Sequence, residues 1–166
     1  MTRACIPMLQ NAATPEDPAR IINIGSVVGL MPQEAPTHAY DASKAAVHNM
    51  TKKFAADLAP QNITGEFLKQ SLYWITCITL RLTCLLPVNC LAPGFVPSRM
   101  SAGLGTWGPK PETIAKATPL GRMGNEDDMT GACIYFASKA GSWCTGVILN
   151  VDGGSVNAMQ IPLSSL

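Results

Sequence analysis

The strongest periodic pattern in the chain lies between residues 38 and 58. Apolar side chains recur there at spacings of three and four, which predicts an amphipathic helix that buries one stripe against a core. The side chains of this stripe are Val47, Met50, Phe54 and Leu58. Pro60 follows the stripe, and a proline at this place is typical of a helix end. We therefore predict a helix from about His38 to Leu58.

Three short runs rich in branched apolar residues predict strands, of which the first suits a strand buried on both faces, as in a parallel sheet, and the second is also expected to be buried. They occupy residues 20–26, 88–94 and 147–151. Together with the predicted helices between them, they give the order strand, helix, strand, helix, strand. That order is typical of a parallel α/β sheet.

The helix between the second and third strands is expected to begin after Asn125, whose side chain can cap the first turn. Three acidic residues at 126–128 suit the positive end of the helix dipole. Its predicted buried face comprises Met129, Ala132, Cys133 and Phe136. Residues 3–10 fit the end of a further helix. Residues 95–118 contain several Gly and Pro and predict a long flexible loop of the kind that forms a lid.

The composition limits the classes of protein that need to be considered. At 166 residues the chain can form one domain with a sizeable core, and 47% hydrophobic against 14% charged residues excludes intrinsic disorder. A formal net charge of +1 gives no electrostatic reason to expect a nucleic acid or a membrane as partner. The six cysteines include no C-x-x-C pair, so we expect free thiols in a reducing, cytoplasmic location and no metal site. The N-terminus lacks the long apolar run of a signal peptide.

One apolar stretch raises the question of whether the chain crosses a membrane. Residues 71–88 are apolar apart from Arg81 and a few hydroxyls, but they are only marginally long enough to span a bilayer. An arginine near the centre costs about 2.5–3.5 kcal/mol on the insertion scale. A membrane span is therefore disfavoured, and a protein tethered through this stretch stays as an alternative.

Tyr40 and Lys44 supply the first candidate chemistry. Four residues apart on the predicted helix, they share one face, with Cβ atoms about 5–6 Å apart. An ammonium near a phenol stabilises the phenolate, which makes the tyrosine usable as a proton donor and acceptor at neutral pH. Ser26 ends the first predicted strand, where open α/β sheets carry their sites, and its hydroxyl can polarise a substrate carbonyl. Taken alone, a Tyr-x-x-x-Lys spacing is also what a surface aromatic beside a solvated lysine produces.

Further motifs accompany this group in a fixed order. They are Ile24-Gly25-Ser26-Val27-Val28-Gly29, Tyr40-Asp-Ala-Ser-Lys44, Asn89-Cys-Leu-Ala-Pro93-Gly94, Thr145-Gly146 and Asp152-Gly153-Gly154. The order resembles the short-chain dehydrogenase/reductase family over residues 1–64 and about 88–157, in particular its fungal and bacterial secondary-alcohol dehydrogenases and 3-oxoacyl reductases. The resemblance implies a single partial domain, an incomplete Rossmann-like doubly wound parallel α/β sheet that lacks its N-terminal βαβ units.

The resemblance also implies catalytic roles for the matching residues. Tyr40 would pass a proton to or from the substrate oxygen, and Ser26 would bind that oxygen. Lys44 would hydrogen-bond the nicotinamide ribose and support the phenolate. The implied activity is that of an oxidoreductase that interconverts a small-molecule ketone and a secondary alcohol.

The implied cofactor is NAD or NADP. Pro93, Gly94 and the backbone of Val96 are expected to meet the nicotinamide. Ser98 stands where the family usually has threonine, and its hydroxyl can bind the carboxamide in the same way. Tyr40 and Lys44 would complete the cofactor-binding set.

Four other residues near these motifs have structural alternatives. We expect Asn23 and Asn89 to hold strand ends. His38 is expected to lie at the surface or cap the helix rather than touch substrate. Trp107 either lines the substrate pocket or is an ordinary loop aromatic.

One departure from the family pattern concerns the cofactor's phosphates. The family opens with a strand, a glycine-rich turn and a helix that bind the adenosine half, and no such unit is present in this chain. Residues 103–108 match G-x-G-x-x-G, but they follow no predicted strand and run into Pro109, so we reject them as that motif. We therefore expect weak cofactor binding and weak or absent activity, and the choice between NAD and NADP stays open.

A second departure is the segment 65–87, 23 residues with no family counterpart. Gly65-Glu-Phe can be encoded with a donor-like GTGAGT and Pro87-Val88 with an acceptor-like CAG, and removal of the segment keeps the reading frame. Our hypothesis is a retained intron, and the alternative is a real hydrophobic insertion.

The alternative to an impaired enzyme is a non-catalytic fragment that associates with an intact homologue. The family usually forms homodimers or homotetramers through the helix that bears the catalytic tyrosine and through the last strand. The remaining strands would form about half a sheet with an exposed edge and an unburied face, which is a predicted liability.

Overall fold

The computed structural model describes residues 2–14, 17–33, 35–58, 86–99, 101, 108 and 110–158. The helices are α1 (Thr2–Ala12), α2 (His38–Leu58), α3 (Pro111–Ala117) and α4 (Glu126–Ala137). The strands are β1 (Ile21–Ile24), β2 (Val88–Pro93) and β3 (Ile148–Val151). Two short 3₁₀ helices cover Val27–Gly29 and Lys139–Gly141. Ser26 caps the first of them, and residues 26–29 are called the serine turn below.

The three strands form one parallel sheet in the order β1-β2-β3. This confirms the predicted parallel α/β sheet. The central strand β2 is the core of the sheet, because Val88, Cys90, Leu91 and Ala92 are all at most 1% exposed. The prediction that β1 is buried on both faces was wrong, since Ile24 is 53% exposed. Among the described residues β1 pairs with β2 alone and therefore forms an edge of the sheet.

Helix α2 has the predicted bounds but buries a different face. The buried residues are His48, Thr51 and Ala55, whereas Met50 of the predicted stripe is 52% exposed. The reason is a close approach of backbones. A Cβ at Gly29 would lie 2.7 Å from the carbonyl carbon of Lys44, so the serine turn lies directly against this part of the helix. The face of α2 that carries His48 is therefore turned towards the serine turn, since His48 Cε1 would lie 2.8 Å from the same Cβ.

Helix α4 confirms its predicted start and its main buried residue. Asn125 Oδ1 accepts from the Asp128 N–H at 2.9 Å, and the Asp128 carboxylate accepts from the Asn125 N–H at 2.8 Å, which is a capping box. Arg122 forms a bidentate pair with the same carboxylate at 2.7 and 2.9 Å. Phe136 is 2% exposed and anchors the helix in the core.

The prediction of a continuous loop over 95–118 was wrong at α3. Pro111 occupies the first turn of this helix, where the missing N–H costs nothing and the fixed φ suits helical geometry. Pro111 therefore starts a helix here, although prolines are also typical of loops.

Several predictions fall on residues outside the described part. These are most of the insertion 65–87 and of the apolar stretch 71–88, the glycine pattern except Gly108, and Trp107. Within the described ranges no helix is long and apolar enough to cross a membrane. No cluster of metal-ligating side chains occurs within them either.

Candidate active site

The carboxyl ends of the three strands meet at one edge of the sheet. Ile24 is in register with Leu91, and Pro93 with Val151. Two backbone hydrogen bonds continue the ladders beyond the strands, from Gly25 N–H to Leu91 O at 2.7 Å and from Gly94 N–H to Val151 O at 3.0 Å. The loops that follow β1 and β2 therefore start side by side, which is where a parallel α/β sheet places a site.

Ser26 is held at the start of the loop after β1. Its backbone is extended, with φ −169° and ψ 154°, and the residue is 8% exposed. The Oγ accepts a long hydrogen bond from Val28 N–H at 3.5 Å, so its proton stays available for a second partner. The Ser26 N–H donates in turn to Nε2 of His48 at 3.4 Å.

Lys44 reaches the same strand end from helix α2. Its Nζ donates to the carbonyl oxygen of Ile24 at 3.0 Å, two residues before Ser26. The ammonium also lies 5.6 Å from the ring centroid of Tyr40, one helical turn earlier. The end of β1 thus has Ser26 on the strand side and the Tyr40–Lys44 pair on the helix side.

The predicted nicotinamide residues divide into two groups. Pro93 ends β2, and Gly94 lies so close to β3 that a Cβ there would be 2.8 Å from the Asp152 Cα. Both therefore lie at the shared edge of the sheet. Ser98 is exposed and engaged locally, since its Oγ donates to the Oγ of Ser101 at 3.2 Å and accepts from the Ser101 N–H at 3.1 Å. No described contact brings Ser98 to the strand ends, so its carboxamide role stays a prediction.

Val96 lies between these groups along the chain. Its Cγ2 would be 2.9 Å from a Cβ at Gly124, and Gly124 N–H donates to the Phe95 carbonyl at 2.9 Å. The loop after β2 is thereby fixed against the segment that precedes α4.

A cavity of about 300 Å³ opens between the serine turn, the loop after β2 and α3. Apolar side chains make up much of its wall, and none of its lining residues is charged. The lining includes Val27, Val28, Met31, Gly94, Phe95 and Ile114. Since both strand-end loops face it, this cavity suits a neutral substrate better than the cavity of about 420 Å³ beside Arg122, Asp128 and Asp152 at the end of β3.

His48 is a residue of the site that we did not predict from the sequence. It follows Lys44 by four positions and Tyr40 by eight, a spacing that places all three on one side of α2. It is 5% exposed, and burial lowers the pKa of its imidazole, as do the charges of Lys52 and Lys44, whereas the Gly29 backbone acts the other way. The helical spacing was the signal in the sequence that could have found it.

Asn23 and Asn89 have the structural roles that were expected. The Asn23 amide donates to Thr51 Oγ1 at 2.9 Å and ties β1 to α2. The Asn89 amide bridges β2 to the approach of β3, donating to Cys144 O at 2.7 Å and accepting from Val147 N–H at 3.1 Å. His38 is exposed and is the first residue of α2.

Comparison with known families gives two matches that follow one another along the chain. A family model described as short chain dehydrogenase matches residues 1–68. A second, described as enoyl-(acyl carrier protein) reductase, matches residues 86–156.

Among curated proteins, the chain is 32% identical over 149 residues to the rhamnolipids biosynthesis 3-oxoacyl-[acyl-carrier-protein] reductase of Pseudomonas aeruginosa, covering 90% of this chain and 49% of the relative. It is 34% identical over 137 residues to the galactitol 2-dehydrogenase (L-tagatose-forming) of Cereibacter sphaeroides, covering 81% and 44%. The chain thus spans about half the length of the curated relatives it matches.

Solved structures agree with these matches. The RhlG/NADP active-site complex of Pseudomonas aeruginosa superposes with a TM-score of 0.70 at 30% identity, over 93% of this chain and 53% of that one. A gluconate 5-dehydrogenase from Burkholderia cenocepacia, in complex with NADP and tartrate, gives a TM-score of 0.68 at 28% identity, over 95% and 51%.

Proposed function

We propose that this chain, which belongs to the short-chain dehydrogenase/reductase family, carries the Ser–Tyr–Lys half of an NAD(P)-dependent oxidoreductase that interconverts a ketone and a secondary alcohol. The single observation that carries the proposal is the convergence at the end of β1. Lys44 Nζ lies 3.0 Å from the carbonyl of Ile24, two residues before Ser26, and 5.6 Å from the ring of Tyr40.

The chain's own residues perform the proton chemistry of this proposal. The Ser26 hydroxyl hydrogen-bonds the substrate carbonyl and orients it, and the Tyr40 hydroxyl donates a proton to the same oxygen as the alcohol forms. The Lys44 ammonium stabilises the phenolate that Tyr40 leaves behind. The nicotinamide supplies the hydride when it is bound.

The donor set at this site fits the nicotinamide-ribose half of the cofactor. An ammonium has three N–H donors, and one of them bonds the Ile24 carbonyl, so two remain for vicinal ribose hydroxyls. Gly94 and Phe95 line the cavity beside the serine turn, where a flat ring has room.

The described residues do not offer the same fit to the pyrophosphate. Within them no strand leads through a glycine-rich turn directly into an α-helix, the arrangement that aims backbone N–H groups at phosphate. We infer that cofactor binding by this chain alone is weak.

Titration of NADH and NADPH by nicotinamide fluorescence, followed by turnover assays on neutral ketones at saturating cofactor, tests the proposal. Tyr40→Phe should lower turnover by about 10²–10⁴-fold. Tyr135→Phe is the matched control, because it removes the same hydroxyl from an exposed tyrosine of α4 and should leave turnover unchanged. Micromolar cofactor affinity would contradict the inferred impairment. Full activity in Tyr40→Phe would contradict the catalytic role, and no turnover in the parent chain at saturating cofactor would favour the non-catalytic alternative below.

A second candidate is a non-catalytic chain that associates with an intact homologue. The observation that favours it is the outer edge of β1, which has no strand partner within the described residues and exposes 53% of Ile24. Such an edge is a template for a further strand. Co-purification with a full-length 3-oxoacyl reductase would favour this candidate, and a clean monomer in the mixture would count against it.

We also propose that residues 65–87 interrupt one family domain. The two family matches support this, since the first stops at residue 68 and the second begins at residue 86. The retained intron remains our hypothesis for its origin. Sequencing the mature transcript across codons 60–92 tests it, and a message that keeps these codons would reject it.

The location that we propose is the cytoplasm. Its support is the free thiol of Cys90, which lies buried in the core, and the free thiols of Cys5, Cys133 and Cys144 within the described residues. Unpaired thiols are typical of reducing compartments.

A further inference from the structure

The backbone of the candidate catalytic serine is bonded to a buried histidine. Ser26 N–H donates to Nε2 of His48 at 3.4 Å, across 22 residues of sequence, and both residues are buried. Among the described residues, no other hydrogen bond joins the Ser26 backbone to helix α2. The conformation of Ser26 is therefore tied to the same helix that carries Tyr40 and Lys44.

The space around the ring is made by two glycines that bracket Ser26. A Cβ at Gly25 would lie 2.2 Å from His48 Nε2, and a Cβ at Gly29 would lie 2.8 Å from His48 Cε1. Neither distance is tolerable for a real side chain. The two glycines let the chain on both sides of Ser26 fold down onto the imidazole.

The direction of the hydrogen bond defines the state of the ring. Since Nε2 accepts from the serine N–H, it is unprotonated, and the proton of the neutral ring is on Nδ1. Nδ1 is buried without a partner at full hydrogen-bond geometry among the described residues, although the nearby Gly29 backbone raises the imidazole pKa. Protonation would put a second donor on Nε2, facing the Ser26 N–H, and the bond could not persist.

The charges around the ring favour the neutral form. Lys44 and Lys52 of α2 face it with positive charge, and both lower the imidazole pKa in addition to burial. From β2 the nearest titratable group is the Cys90 thiol, whose pKa is raised by burial, so it brings no negative charge. The serine turn contributes no ionisable side chain.

We propose that neutral His48 is a positioning residue, which holds Ser26 in its extended conformation and releases it when the imidazole is protonated. Its effect on catalysis rests on the proposed function of Ser26. The hydrogen bond itself does not, and the two are tested separately.

Amide and imidazole ¹⁵N NMR of the full chain between pH 8 and pH 4.5 tests the contact. We expect the Ser26 amide shift to follow the ionisation of His48, with one midpoint lying below 6.5. The Val147 amide, which donates to the non-ionisable Asn89 side chain, is the internal control and should not move. A Ser26 amide that ignores the ionisation of His48, or an Nε2 that carries the proton at pH 8, would overturn the proposal.

Three variants separate the acceptor from the bulk of the ring. His48→Gln keeps an acceptor and should abolish the pH transition while keeping the Ser26 amide protected from hydrogen exchange. His48→Leu removes the acceptor and should speed that exchange on the order of tenfold, the loss of one hydrogen bond. His38→Gln removes the other histidine and should leave the transition unchanged. Equal exchange in the Gln and Leu variants would contradict the role of the acceptor.

The catalytic arm uses the turnover assay proposed above. We expect kcat to fall with the same midpoint as the Ser26 transition, with KM for the cofactor unchanged, because the serine orients substrate and not cofactor. A kcat that is flat through this midpoint would overturn the catalytic consequence. A coupled Ser26 amide in a chain without turnover would support the contact and reject the proposed function.

Discussion

Replacing Gly25 by alanine tests how tightly the serine turn packs on α2. A Cβ at this position would lie 2.2 Å from His48 Nε2, 2.6 Å from His48 Cδ2 and 2.8 Å from Cys90 Sγ. Ordinary van der Waals contacts of a Cβ are 3.4–4 Å, so the ring would have to move by about 1 Å. The φ angle of Gly25 is not among the positive ones, so any cost comes from lack of space and not from the backbone.

The expected loss of stability has two parts. Inserting a methyl group into a packed interior costs about 1–3 kcal/mol, because neighbours leave their preferred rotamers. Displacing the imidazole also breaks the Ser26–His48 hydrogen bond, which is worth about 1 kcal/mol. We therefore expect Gly25→Ala to lower the free energy of unfolding by about 2–4 kcal/mol.

Gly131→Ala is the matched control for this substitution. Gly131 lies in the middle of α4, and a Cβ there meets nothing within 4 Å. The same added methyl group should stabilise the protein there by up to about 1 kcal/mol, through helix propensity alone.

Urea unfolding followed by circular dichroism measures both variants. The reasoning requires a lower midpoint for Gly25→Ala at an unchanged m value, and an equal or higher midpoint for Gly131→Ala. In the double variant Gly25→Ala/His48→Ala the two costs should not add, because removal of the ring relieves its clash with the new methyl group. Strict additivity, or a Gly25→Ala variant within about 0.5 kcal/mol of the parent, would refute the packing argument.

Two further predictions concern helix α4. Phe136→Ala should lower the free energy of unfolding by about 3–5 kcal/mol, because Phe136 is 2% exposed. Ile134→Ala, on the exposed face, should change it by less than about 0.5 kcal/mol. Urea unfolding measures both variants, and equal losses would contradict the assigned core. Hydrogen bonds from the Arg122 side chain and the Asn125 backbone lower the pKa of Asp128 from 3.8 to about 2. The ionised Asp128 therefore stabilises the folded state fully above pH 3.8, and this stabilisation is lost as the pH falls through about 2. Carboxyl NMR titration checks this value, which Asp127→Asn should not alter, and an Asp128 that titrates at its ordinary value would disprove the contact.

The periodic pattern of α2 predicted the bounds of the helix but not its buried face. Its apolar stripe includes Met50, which is half exposed, while the buried positions are His48, Thr51 and Ala55. A pattern of apolar residues records which face is most hydrophobic. It does not show that a glycine in another segment allows the backbone of that segment to pack against the helix on a neighbouring face, as Gly29 does at Lys44.

The strand predictions succeeded where burial was complete and failed at the edge. Residues 88–93 are mostly apolar, and β2 is packed against α2 and α4 as well as paired with a strand on each side, so composition and environment agree there. Residues 21–24 have a similar composition, yet β1 has a neighbour on one side only within the described part of the chain. Composition alone therefore does not distinguish a strand at the centre of the sheet from a strand at its edge.

For the candidate site, the motifs located the residues and the structure supplied the contacts between them. The spacing of Tyr40 and Lys44 predicted their shared face, and the ammonium does lie over the ring. The contact of Lys44 with the Ile24 carbonyl is a long-range contact that no local spacing could predict. For Ser98 the residue type predicts a contact with the carboxamide, but in the structure its hydroxyl is hydrogen-bonded to Ser101.

One face of α2 explains why these contacts occur together. Tyr40, Lys44, His48, Thr51 and Ala55 follow one another at spacings of four, four, three and four, so they form a single line along the helix. The C-terminal part of this line is packed in the core. Thr51 is fully buried, its hydroxyl donates to the Val47 carbonyl, and it accepts a hydrogen bond from the Asn23 side chain of β1. Because a helix is rigid over this length, the packed end fixes the rotation of the other end. The approach of Lys44 to the end of β1 is therefore set by core packing two turns away, and a substitution at Thr51 should disturb the site without touching it.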